Sequence, residues 1–146
     1  MNGDWAQVGI AIVGGMAITL QGQFMGLMDK GIGTVESVFI TYAGGGLVAA
    51  LVIIGIRGGN LGAWHHVPWY TLLSGLLGLL IVGAIGYSIP RLGLSKAFTI
   101  MIAAQFAVAA AIDHFGWIGA PVRPLNVSRL AGMAVLVLGV WLVTKS

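Results

Sequence analysis

The chain has 146 residues, of which 58% are hydrophobic and 8% are charged, and its formal net charge is +3. An ordinary soluble domain has about 25% charged residues, so this composition is too poor in polar side chains to cover a globular surface and excludes a soluble fold. The seven Lys and Arg form no cluster, which argues against a nucleic-acid partner, and the absence of cysteine excludes disulfides and thiolate metal sites.

Five stretches are apolar and long enough to cross about 30 Å of hydrocarbon as helices. We predict spans over residues 5–28, 35–56, 69–89, 95–113 and 129–145. The first is expected to be retained, because no Lys or Arg precedes it and it is longer than the apolar core of a signal peptide. The fourth and fifth are short, but flanking Lys and Arg side chains can extend toward the headgroups; the alternative for the fourth is a buried or re-entrant helix.

The predicted fold class is all-α integral membrane, with a single five-helix domain over residues 1–146. The spans are continuously apolar rather than alternating, which favours helices over a barrel, and only these two structures satisfy every backbone amide in lipid. The predicted linkers are residues 29–34, 57–67, 91–95 and 113–128. The last contains Pro121 and Pro124 and is expected to form an ordered surface loop.

The positive charges are almost balanced between the two sides that these spans define. Arg57, Arg123 and Arg129 would share the N-terminal side, whereas Lys30, Arg91, Lys96 and Lys145 would share the other. Because Lys and Arg asymmetry normally fixes orientation, three against four leaves two interpretations open. Either a weak bias selects one orientation, or copies of the chain insert both ways and pair antiparallel.

Glycines are frequent inside the spans, where small residues let helix backbones approach one another. The triple Gly44-Gly45-Gly46 in the second span can serve close packing, or it can mark a helix that bends or lines a cavity. Gly132 and Gly139 share one face of the fifth span and are predicted to form a helix-packing or dimer seam.

Polar residues inside the spans are few, so each is a candidate for lining a solute pathway or for bonding between helices. The candidate substrate-binding residues are Gln21, Glu36, Tyr42, Tyr87 and Gln105. Glu36 lies near a helix N-terminus, where the helix dipole favours a carboxylate; the alternative is a proton- or cation-binding group at a cavity mouth. The sequence contains no recognisable catalytic motif, metal-ligand set or cofactor fingerprint, so neither an enzyme nor a bound cofactor is predicted.

The chain resembles a known group of proteins. The stretches that carry the resemblance are Leu20-Gln21, Val67-Pro68-Trp69, Ser74-Gly75-Leu76-Leu77-Gly78, Arg91-Leu92-Gly93, Ala104-Gln105, Ile112-Asp113-His114-Phe115-Gly116 and Gly139-Val140-Trp141-Leu142-Val143. In order and spacing they are similar to the short, YdcZ-like members of the drug/metabolite transporter superfamily, which are exporters of the bacterial inner membrane.

The resemblance implies a five-helix unit equivalent to one half of a ten-helix transporter built from two inverted repeats. It implies a homodimer, antiparallel if the chain has dual topology, with solute near the membrane midplane and Gln21 and Gln105 as polar pocket residues. The predicted function is therefore export of a small organic solute, cationic or amphipathic, by alternating access in the lipid bilayer. The alternative is a non-transporting subunit that packs its glycine faces against a larger membrane complex.

Overall fold

The structure is a computed structural model that describes residues 4–145. Its five α-helices are α1 (Asp4–Ile32), α2 (Thr34–Gly55), α3 (Ser74–Leu92), α4 (Leu94–Phe115) and α5 (Val127–Lys145), and short 3-10 segments cover Leu61–His66, Trp69–Leu73 and Trp117–Gly119. All five helices, with α3 counted from Trp69, are long and apolar enough to cross a membrane. Together with the absence of strands in the described part of the chain, this confirms the predicted all-α membrane class.

The described helices belong to two compact units, an N-terminal unit (Met1–Arg91) and a C-terminal unit (Leu92–Ser146). The N-terminal unit contains α1, α2 and nearly all of α3, and the C-terminal unit contains α4 and α5. The single domain over residues 1–146 stays a prediction.

Single glycines replace two of the predicted linkers. α1 continues through Ile32 and α2 begins at Thr34, so the linker predicted at 29–34 is reduced to Gly33, with φ 99° and ψ 164°. Gly93 stands in the same way between α3 and α4, with φ 84° and ψ 154°. Both residues lie in a backbone region that is essentially open only to glycine. Such a residue ends one helix and starts the next without a loop, which leaves few backbone amides unpaired.

The third span starts with a 3-10 segment rather than with an α-helix. Trp69–Leu73 is a 3-10 segment, and the α-helix α3 starts at Ser74. The Thr71 hydroxyl donates to the Pro68 carbonyl at 2.7 Å and the Thr71 N–H donates to the same carbonyl at 3.0 Å. These local bonds favour the tighter turn directly after the proline.

The core of the N-terminal unit lies where α3 packs against the α1–α2 pair. Met25 is 1% exposed and Ser37 is fully buried. Both border Gly86: a Cβ placed there would lie 3.3 Å from Met25 Cε and 3.5 Å from Ser37 Oγ. Gly26 of α1 faces Ile89 of α3 in the same close manner. Small residues therefore set the distance between these helices, as is usual where lipid rather than water surrounds a protein.

The loop predicted around Pro121 and Pro124 is held to the ends of α4 and α5 by hydrogen bonds. The Arg123 N–H donates to the Asp113 carbonyl at 2.7 Å, and the Leu125 N–H donates to His114 Nδ1 at 3.1 Å. The Asn126 side chain accepts from the Arg129 N–H at 2.8 Å, which caps the first turn of α5. His114 therefore serves as a loop anchor.

The predicted seam on α5 has no packing partner among the described residues. A Cβ placed on Gly132 or Gly139 would meet no atom within 4 Å. The face that carries these two glycines is open, and its use as a seam between two chains stays a prediction.

Candidate functional site

A groove in the N-terminal unit brings together two of the residues predicted to bind solute. Its volume is about 370 Å³, and its lining comes from all three helices of the unit: Gln21 from α1, Thr41, Tyr42, Gly45, Gly46 and Ala49 from α2, and Val82 from α3. We call this surface the N-terminal groove. It combines an amide, two hydroxyl groups and apolar walls, which is the usual make-up of a small-molecule site.

Glycine residues shape the N-terminal groove. A side chain at Gly78 of α3 would collide with the Tyr42 hydroxyl, so this glycine makes room for the tyrosine. Gly45 and Gly46 contribute only backbone, and no atom lies within 4 Å of a Cβ placed on either. The triple glycine therefore leaves open space along this side of α2, in agreement with the interpretation that it lines a cavity.

The polar groups of the groove differ in whether they already form hydrogen bonds within the protein. The Thr41 hydroxyl donates to the Ser37 carbonyl at 2.8 Å, one helical turn back. Gln21 and Thr41 also line a second cavity of about 370 Å³, on the side of α1 that carries Phe24 and Met28. Gln21 thus lies between two open spaces, where its amide can both donate and accept hydrogen bonds.

Glu36 lines a different surface from Gln21 and Tyr42. It lies in the first turn of α2 and borders a depression of about 500 Å³ whose other lining residues are Ile32, Val35, Phe39 and Ile40. An acidic residue in the first turn is stabilised by the helix dipole. The structure separates Glu36 from the N-terminal groove, and its role in solute binding stays a prediction.

Tyr87 lies in a polar cluster that we define as Asp29, Thr34, Tyr87 and Arg91. The Arg91 guanidinium carbon is 3.6 Å from the centroid of the Tyr87 ring, and its Nη1 donates to the Tyr87 carbonyl at 2.6 Å. The same nitrogen pairs with Asp29 Oδ2 at 3.4 Å, and Asp29 Oδ1 accepts a hydrogen bond from the Thr34 hydroxyl. Asp29 directly follows the first predicted span, 5–28, and is not among the candidate residues named from the sequence. A usable signal was present, because Asp29 and Arg91 end two spans that are predicted to finish on the same side.

In the C-terminal unit, the structure shows a polar site besides the predicted Gln105, whose role in solute binding stays a prediction. Gln105 is exposed on α4. A cavity of this unit, about 140 Å³, is lined by Phe106, Ala109, Ala110, Asp113, Arg129 and Met133. Asp113 and Arg129 form an ion pair at 3.7 Å. Sequence reasoning missed this pair because each residue is a charge at the end of a predicted span, 95–113 or 129–145.

The comparison with known families decides what kind of protein carries these features. The family model described as "Putative inner membrane exporter, YdcZ" matches residues 6–142. The chain belongs to this family. Inner membrane protein YdcZ of Escherichia coli (strain K12) is 26% identical to it over 137 residues, which are 92% of this chain and 91% of the relative. No solved structure matches the chain.

Membership in the YdcZ family confirms the resemblance seen in the sequence. It places this YdcZ-family chain in the bacterial inner membrane as a multi-pass protein and makes it a membrane transporter. A transporter moves its solute without changing it chemically, in keeping with the absence of a predicted catalytic motif.

Proposed function

We propose that this YdcZ-family transporter exports a small organic solute by alternating access as a homodimer, with the N-terminal groove as part of the solute path. The observation that carries the proposal is the meeting of Gln21 and Tyr42, from two helices, in one groove closed on a third side by Val82. Solute sites in transporters are built in this way, from side chains of several helices near the membrane midplane.

The lining of the groove indicates the polarity and charge of the solute that it can bind. Its walls are mainly apolar, and none of its lining residues is charged. An ion that entered without a partner would lose its hydration at a large cost, whereas an amphipathic molecule can bury its carbon skeleton and keep a few hydrogen bonds. Gln21 and Tyr42 are the groups that provide them. The part of the solute that occupies this groove is therefore uncharged.

The homodimer is supported by the sequence and by the resemblance to half of an inverted-repeat transporter. Five crossings place the two ends of the chain on opposite sides, so a second copy with reversed orientation supplies the inverted partner. The balance of three positive residues against four is compatible with insertion in both orientations.

Solute flux through the purified protein tests the transport function. Liposomes that contain only this protein are expected to exchange amphipathic organic solutes faster than empty liposomes. The Gln21→Leu variant should lose about fivefold in flux, since one hydrogen bond to the solute contributes about 1 kcal/mol.

Gln23→Leu is the matched control for Gln21→Leu. Gln23 lies two residues further along α1, is exposed, and lines neither cavity beside Gln21. Equal losses in both variants would remove the groove from the solute path. No flux of any solute, together with co-purification of a stoichiometric membrane partner, would favour the docking-subunit interpretation.

Labelling of single cysteines tests the arrangement of the dimer. Asn60 and Ser95 are both exposed, lie on either side of α3, and can be replaced by cysteine in this cysteine-free chain without altering its charge. With dual topology, an impermeant thiol reagent applied to intact cells should label each variant in about half of the molecules. Full labelling at one position and none at the other would exclude an antiparallel pair of this chain.

A further inference from the structure

The guanidinium group of Arg91 is held in place by three kinds of contact. Its Nη1 lies 3.4 Å from Asp29 Oδ2 and 2.6 Å from the Tyr87 carbonyl oxygen. The guanidinium group also makes a cation–π contact with the Tyr87 ring, with Cζ 3.6 Å from the ring centroid. A carboxylate, a carbonyl oxygen and an aromatic face are the groups that proteins use to bind organic cations. Arg91 thus occupies a site with the chemistry of an organic-cation site.

The anionic half of this site is oriented without the help of Arg91. The Asp29 side chain is 7% exposed, and its Oδ1 accepts a hydrogen bond from the Thr34 hydroxyl across the Gly33 joint. The Asp29 carbonyl also accepts from the Gly33 N–H at 3.0 Å. Because the Thr34 hydrogen bond does not involve Arg91, the carboxylate would stay oriented if Arg91 moved away, and it would then lack this counter-charge. Such a group favours the entry of another cation.

The Arg91 guanidinium group is accessible to solvent and can be displaced by another cation. The Arg91 side chain is 47% exposed and Tyr87 is 55% exposed. An ion pair with one exposed partner contributes little net free energy, because the free arginine regains hydration and side-chain freedom. A solute cation at sufficient concentration can therefore take the place of the tethered guanidinium.

We propose that Asp29 and Tyr87 form a binding site for organic cations that carry a guanidinium or amidinium group, and that Arg91 is its displaceable internal occupant. This site deepens the proposed function and rests on it, since it names the class of solute: the planar cation binds here, whereas the N-terminal groove takes uncharged parts of the solute. Exchange between Arg91 and the solute keeps the Asp29 carboxylate paired in both states, so no bare charge is left behind when the solute leaves.

Thermal unfolding of the purified protein in detergent, followed by tryptophan fluorescence, tests this site with methylguanidinium chloride as the probe. The Arg91→Ala variant should gain about 3–6 °C in Tm at a probe concentration of about ten times the Kd, relative to the same concentration of sodium chloride. The Asp29→Asn/Arg91→Ala double variant should gain nothing. The wild-type protein should need a higher probe concentration, because its own guanidinium competes from a tether.

Two results would overturn the proposal: no gain in Arg91→Ala, or an equal gain in the single and double variants. If Arg91→Ala does not yield folded protein, Arg91→Met keeps the aliphatic stem and serves instead. If neither variant folds, methylguanidinium in the purification buffer should restore a folded peak on size exclusion for Arg91→Ala but not for the double variant. Failure of that rescue would also overturn the site.

The binding measurement involves no transport, so the two proposals fail separately. A gain in Tm without any flux in liposomes would support the cation site and contradict the proposed function. Flux that is unchanged in Asp29→Asn, with no gain in Tm for Arg91→Ala, would contradict the cation site and leave the proposed function standing.

Discussion

Replacing Gly45 by leucine is expected to lower solute flux by at least about tenfold without lowering the Tm. Gly45 lines the N-terminal groove, and no atom lies within 4 Å of a Cβ placed on it, so a leucine enters the groove rather than the core. Leucine also favours the helix by up to about 1 kcal/mol over glycine. Flux in liposomes should therefore fall, while the unfolding temperature in detergent stays the same or rises.

Gly44→Leu is the control for this prediction. Gly44 has the same open surroundings, but it points about 100° away around α2 and does not line the groove. The two variants have the same composition and the same expected gain in helix propensity. Retained flux in Gly44→Leu would therefore assign the loss in Gly45→Leu to blocking of the groove. Equal loss in both would mean that the triple glycine acts as a bend in α2, the interpretation that the groove geometry does not favour.

Replacing Gly26 by alanine is expected to have the opposite result, a loss of stability at a position that does not line the groove. The new methyl group would lie 2.7 Å from Ile89 Cγ2 and 3.3 Å from Ile89 Cβ. Ile89 is 6% exposed and branched at Cβ, so it has no room to turn aside. Over-packing of this kind costs about 1–3 kcal/mol, which reversible unfolding in mixed detergent micelles can measure.

Gly14→Ala provides the comparison on the same helix. No atom lies within 4 Å of a Cβ placed on Gly14, so alanine there should leave the free energy of unfolding unchanged or raise it by up to about 1 kcal/mol. Similar losses at Gly14 and Gly26 would contradict the close approach of α1 and α3.

The existence of the five helices could be predicted because each is an apolar run of the length that a bilayer requires. Their ends could not be placed in the same way. The prediction stopped the first span at Met28 because Asp29 is charged, whereas α1 continues through Ile32. Inside the helix, the Asp29 carboxylate accepts from the Thr34 hydroxyl and pairs with Arg91, 62 residues away, and the span pattern carries no information about these contacts.

The candidate site was predictable to a similar degree. The sequence indicates which polar residues lie inside a span, but not toward which neighbour each one points. Gln21 and Tyr42 share a groove because Gly78 admits the tyrosine. Tyr87 was selected by the same reasoning, yet its ring is covered by Arg91 one turn further along α3. The helical rotation that separates these cases is set by packing between helices.

The single-glycine joints have a consequence for how the protein meets its surroundings. Five successive crossings would put Gly33 and Gly93 at one membrane surface and the segments 56–68 and 116–126 at the other. A protease, an antibody or an inserted tag would find accessible chain between helices only at the second surface. At each membrane surface, an antiparallel pair would expose the 56–68 and 116–126 segments of one subunit and the glycine joints of the other. The cytoplasmic and external surfaces of the transporter would then be equivalent.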